Sequence, residues 1–208
     1  MKYGRATWNI IELLKEATAK KKTGDLQSAI KLLREAYEIS RKEQIELGIK
    51  DYLRLPMYLQ EAGENDQAWK ELNNLLTRQY LYPHINASIR TIEHSAIYDA
   101  MRLFLQRENK NEKAVAFGIC SLICWGISLY KQWNEKGADS FFIKERKERF
   151  REDFSPDNIK LTVTKLLKKA DRIDLVDIVS NITTKYVENI PNVKLGKLME
   201  DIDRVFVN

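Results

Sequence analysis

The chain has 208 residues, 44% of them hydrophobic and 31% charged, with 35 basic against 30 acidic side chains and a net charge of +5. That balance belongs to a folded globule rather than to a disordered or collagenous chain, and the length admits one large domain or two small ones. Two cysteines are too few for a disulfide scaffold, MKYGRATWNI has no apolar leader core, and the uncharged run at 114–130 falls short of the ~20 apolar residues that span a bilayer, so a cytoplasmic protein with no membrane partner is expected.

In chain order, the hydrophobic period is helical almost throughout. Trp8, Ile11, Leu14 and Ala17 form the first stripe, and Leu26, Ala29, Leu33, Ala36 and Tyr37 the second. Tyr52, Leu55 and Leu59 follow, then Ala68, Leu72, Leu75 and Leu76. Next come Ile97, Met101 and Leu105, then Val115, Ile119, Leu122 and Ile123. Gly24, Gly63, Pro83, residues 109–111, Gly137, Pro156 and Pro191 punctuate these stretches. No hairpin dipeptide separates alternating runs, so strands have no place. Beyond Gly137 a charged helix is predicted over 139–154, then amphipathic helices over 157–170, 172–189 and 194–206. Ser155 is the expected N-cap of the first of these, with Pro156 at its first helical position. The expectation is an all-α protein of about ten helices.

Two segments repeat. Aligned on Gly24 and Gly63, an acidic residue follows each glycine, Ala29 and Ala68 lie five residues on, and Leu33 and Leu72 nine on. A weaker third copy runs from Asn109 through Ala114, Gly118 and Ser121. Glycine lets a helix end in a left-handed residue and the chain reverse tightly, and alanine one turn later admits a close helix crossing. Ala29 and Ala68 are therefore expected at close crossings. A helix pair of this kind leaves an apolar face that the next pair covers.

These segments, with Leu13, Ala17, Tyr52, Leu59, Tyr98 and Leu105 upstream of the turns, resemble the tetratricopeptide repeat family over residues 6–130. The departures are Lys20 where that family favours an aromatic, Pro56 inside a first helix, and spacings of 39 and 46 residues between Ala29, Ala68 and Ala114. The resemblance implies an α-solenoid of about three degenerate helix-turn-helix repeats over 1–136. Residues 137–208 are expected to be a C-terminal helical cap or lobe packing on it. It also implies a groove formed by first helices, lined by Leu14, Thr18, Lys21, Leu53, Met57, Gln60, Asp99, Leu103 and Gln106. The positions where some members clamp a carboxylate hold Leu14, Thr18, Arg54, Ala96 and Ala100, so that clamp is not expected. Lys21, Lys22, Lys50 and Arg107 would give the mouth a positive rim suited to an acidic partner.

Signs of chemistry are sparse. Arg78 and His84 have a spacing similar to the ribonuclease motif of HEPN domains, although Pro83 separates them as a helix breaker. Arg90 and His94 read as an i,i+4 pair on a helix, and Cys120 and Cys124 as small buried hydrophobes without a second ligand pair for zinc. Asp174, Asp177, Asp201 and Asp203 fit no metal loop, and the four tryptophans Trp8, Trp69, Trp125 and Trp133 read as core. No cofactor and no metal are expected. Residues 1–50 and 136–172 each carry 11 basic against 7 acidic side chains. Those excesses keep a nucleic-acid-binding or RNA-cleaving protein as the alternative to a non-enzymatic protein- or peptide-binding scaffold. An immunity or antitoxin protein is a further alternative.

Overall fold

A computed structural model describes residues 4–78 and 87–207. Among them there is no strand; ten helices of eight or more residues, one four-residue helical turn and two 3₁₀ turns make up the regular structure. The chain divides into two compact units, Met1–Ile85 and Asn86–Asn208.

The first unit contains α1 (Arg5–Lys22), α2 (Leu26–Lys42), the short α3 (Ile49–Tyr52), α4 (Arg54–Glu61) and α5 (Asn65–Thr77). Helices α1 and α2 form one pair and α4 and α5 another, with α2 also packed on α4. Ala17, Ala29, Leu33, Ala36, Leu59, Ala68 and Leu72 are fully buried along these helices. The expected fault at Pro56 has a local solution. The chain breaks at Leu53, so Pro56 is the third residue of α4, where a backbone N–H has no intrahelical partner to lose.

The second unit contains α6 (Ala87–Arg107), α7 (Asn111–Trp133), α8 (Ser140–Asp153), α9 (Pro156–Lys169), α10 (Val176–Glu188) and α11 (Leu195–Val205). Helix α7 is its centre: α6, α8, α9, α10 and α11 all pack on it. Ile119, Ile123 and Leu129 have no exposure, each contributing ~1.5–3 kcal/mol of burial. Glycine makes two of these approaches possible. A Cβ on Gly118 would stand 2.7 Å from Leu166 Cδ2, and one on Gly126 would stand 2.8 Å from Phe154 Cζ. The boundary expected between residues 136 and 137 falls inside this unit, because α7 is apolar on more sides than α6 alone covers. At 23 residues, α7 is also long and apolar enough to cross a membrane, a length the uncharged run understated; most of it is instead buried by its neighbours, which is compatible with a soluble protein.

The three aligned turns share one backbone geometry. Gly24, Gly63 and Asn109 have φ of 82°, 84° and 59°. In each turn the next residue's N–H reaches back to a carbonyl five residues earlier: Asp25 to Lys20 (3.0 Å), Glu64 to Leu59 (2.8 Å) and Lys110 to Leu105 (2.8 Å). This is the glycine-type helix ending, with asparagine tolerated at the third site. Ala29, Ala68 and Ala114 then start the following helices by donating to Asp25, Glu64 and Lys110. Ser155 caps α9, its Oγ accepting from the Asn158 N–H at 3.4 Å, with Pro156 at the first helical position.

Candidate functional site

Two concave surfaces stand out, one in each unit. In the first unit a cleft of about 290 Å³ lies among α2, the loop after it, α3 and α5. The rings of Tyr37 and Tyr52 sit 5.2 Å apart on its wall, and the Arg78 guanidinium lies 4.5 Å from the Tyr52 centroid. Arg78 Nη1 donates to Glu46 Oε1 at 2.7 Å, and both side chains are largely buried. The Tyr37 hydroxyl donates to the Asp51 carbonyl, and burial raises its pKa above the usual phenol value. Ser40 Oγ donates to the Ile45 carbonyl at 2.6 Å. Tyr37, Ser40, Glu46 and Arg78 thus already hold partners within the first unit. Arg78 follows the last residue of α5 in extended backbone, so it does not stand on a helix as the ribonuclease motif requires. His84 and Pro83 lie outside the described residues.

In the second unit a groove of about 480 Å³ runs over α7 between α6 and α9. The spacing of its lining follows from helix geometry. Gly118, Ser121, Leu122 and Trp125 recur on one face of α7 as a floor. Ser95, Asp99, Arg102 and Gln106 form the α6 wall, and Thr162, Lys165, Leu166 and Lys169 the α9 wall. Gly118 keeps the floor low, so Leu166 from one wall and Arg102 from the other both reach it. Ser95 and Ser121 clasp α6 to α7 reciprocally: each hydroxyl donates to the other residue's carbonyl, at 2.8 and 2.9 Å. Trp125 Nε1 donates to Asp153 Oδ2 at 2.8 Å, fixing the indole at one end.

The charge of the two walls differs. On α6, Arg102 is held by Asp99 (Nη2 to Oδ1, 2.7 Å) and donates to Gln106 Oε1 at 2.9 Å. On α9, Lys165 and Lys169 are exposed and make no ion pair among the described residues. One wall is therefore neutralised and the other cationic.

Of the residues expected to line a groove of first helices, Asp99 and Gln106 are in this surface, while Leu103 is half-buried on α6 outside it. The other six belong to the first unit. Leu14 is buried, and its carbonyl and the Thr18 hydroxyl both accept from Arg54 Nη2, the latter at 2.6 Å. Lys21 pairs with Glu61 at 3.0 Å and lies 5.6 Å from the Tyr58 ring centroid. Leu53, Met57 and Gln60 are half-buried in the α3–α4 region. Gly118, Leu122, Trp125, Lys165 and Lys169 were not expected as site residues. The only signal for them is their helical spacing, which core and solvated faces share.

The remaining candidates are placed as follows. Cys120 and Cys124 are fully buried on α7, and burial pushes both thiols up, Cys124 to about 12. Arg90 and His94 lie on α6. The basic run of α8 carries its own counter-charges, Lys144 with Glu148 at 3.8 Å and Arg149 with Asp153 at 3.1 Å. Trp8 is half exposed on α1, unlike the other three tryptophans. Comparison of the chain with protein-family models, with curated proteins and with solved structures finds no match.

Proposed function

We propose that this chain is a non-enzymatic protein-binding scaffold of the cytoplasm, built on degenerate tetratricopeptide-like helix pairs and acting through the groove of α6, α7 and α9. The observation that carries the reading is the groove itself: a concave surface lined by three helices, with an apolar floor at Leu122 and Trp125 and lysines unmatched within the described residues. Such a surface suits a peptide or helix, whose apolar side chains seat on the floor while its polar groups meet the walls. The repeat-like reading draws on the common geometry of the turns at Gly24, Gly63 and Asn109.

The test is photo-crosslinking in cells. A benzophenone amino acid placed at Leu122 is expected to trap one discrete protein partner, while the same group at the exposed Lys144 on α8 traps none in common. Identical adducts from both positions, or none from Leu122, would sink the reading.

A further inference from the structure

The groove's two walls treat charge differently, and this bears on what it binds. Resting on the scaffold reading above, we infer that its occupant is an acidic peptide segment of a partner protein, carrying an apolar side chain between its carboxylates. Lys165 and Lys169 are one helical turn apart on the same wall, about 6 Å along the axis. Carboxylates two residues apart in an extended peptide, ~7 Å, or one turn apart on a helix match that interval. The opposite wall offers no competing attraction, because Arg102 already satisfies Asp99 and Gln106. An acidic peptide is thus drawn to the α9 side and its apolar side chain is left over Leu122 and Trp125. The asymmetry also fixes which side of the peptide faces α9. Ser95 and Ser121 are spent on each other and leave the wall between them without a demand on the ligand.

The experiment is selection of random 12-residue peptides from a display library against the full chain. Anisotropy titrations of the winners then use wild type and the Lys165→Glu/Lys169→Glu variant. Both lysines are exposed, so the variant is expected to keep its helical circular dichroism. Expected are winners rich in Asp and Glu around a Leu, Ile or Phe, bound at least about tenfold more weakly by the charge-reversed variant. Replacing the acids of a winner with Asn and Gln is expected to weaken it similarly, and binding is expected to shift Trp125 emission. Winners without acidic bias, or indifferent to the double reversal but lost in Leu122→Glu, would overturn this inference and leave the scaffold reading standing. Winners indifferent to both variants would overturn the two together. Equal binding of a 12-residue oligothymidylate, with the same dependence on the two lysines, would overturn the peptide assignment in favour of a surface that reads only negative charge.

Discussion

Cys120 and Cys124 show what a single buried group does to the stability of the molecule. Removal from water penalises the thiolate, so the folded protein holds the Cys124 proton to about 12, against an ordinary 9.0. Cys120 is raised for the same reason, with Cys124 beside it adding to the effect. Above pH 9 the unfolded chain loses these protons and the folded chain does not. The folded state then binds more protons, and stability falls as pH rises from about 9 toward 12. Urea midpoints are expected to drop between pH 8 and 9.5, where the thiols of the unfolded chain ionise well ahead of its tyrosines. In Cys120→Ala/Cys124→Ala the midpoint is expected to fall clearly less over that interval, whatever its absolute value, the remainder coming from buried tyrosines such as Tyr37 and Tyr98. Equal losses in both proteins would show that the thiols already ionise in the native state.

At the scale of the element, the helix pairs depend on alanine where helices cross. Ala29 and Ala68 have no exposure, and each sits one turn after a left-handed turn residue. Leucine at either position adds volume that the crossing has no room for. We expect Ala29→Leu and Ala68→Leu each to cost ~1–3 kcal/mol, and the exposed Ala19→Leu on α1 to stay within about 0.5 kcal/mol. Thermal melts followed by circular dichroism decide it; wild-type melting of both buried variants would remove the crossings from the account. Much at this scale was legible in the sequence. Gly24 and Gly63 announce their turns because few other residues tolerate positive φ, and Ser155-Pro156 announces a helix start because its chemistry is local. Asn109 was weaker, being one of several residues that fit a turn. Pro56 misled, since the break at Leu53 that accommodates it leaves no mark in composition.

At the scale of the whole molecule, legibility ran out where function begins. The groove walls come from α6 and α9, whose lining residues lie 56 to 74 positions apart in the chain, and no periodicity within one helix reports that pairing. Lys165 and Lys169 look in sequence like any solvated pair; only the absence of a described counter-charge beside them and the presence of Leu122 below distinguish them. The resemblance to a repeat family points instead to the first helices of the pairs. There Arg54 occupies the Leu14 carbonyl and the Thr18 hydroxyl, and Lys21 is paired with Glu61.

The central position of α7 has a consequence in the order of synthesis. A ribosome delivers α6 and α7 before any of α8 to α11 exists, so the most apolar helix of the chain emerges with one of its five partners. Until the later helices arrive, it offers targeting factors and chaperones the same signal a membrane anchor would. A chain stopped after residue 138 is expected to pellet with membranes or aggregates in a larger proportion than the full chain, by fractionation of a translation reaction. Equal partitioning would mean that α6 shields it sufficiently. Folding of this unit then depends on how soon α8 to α11 reach α7 after it is made.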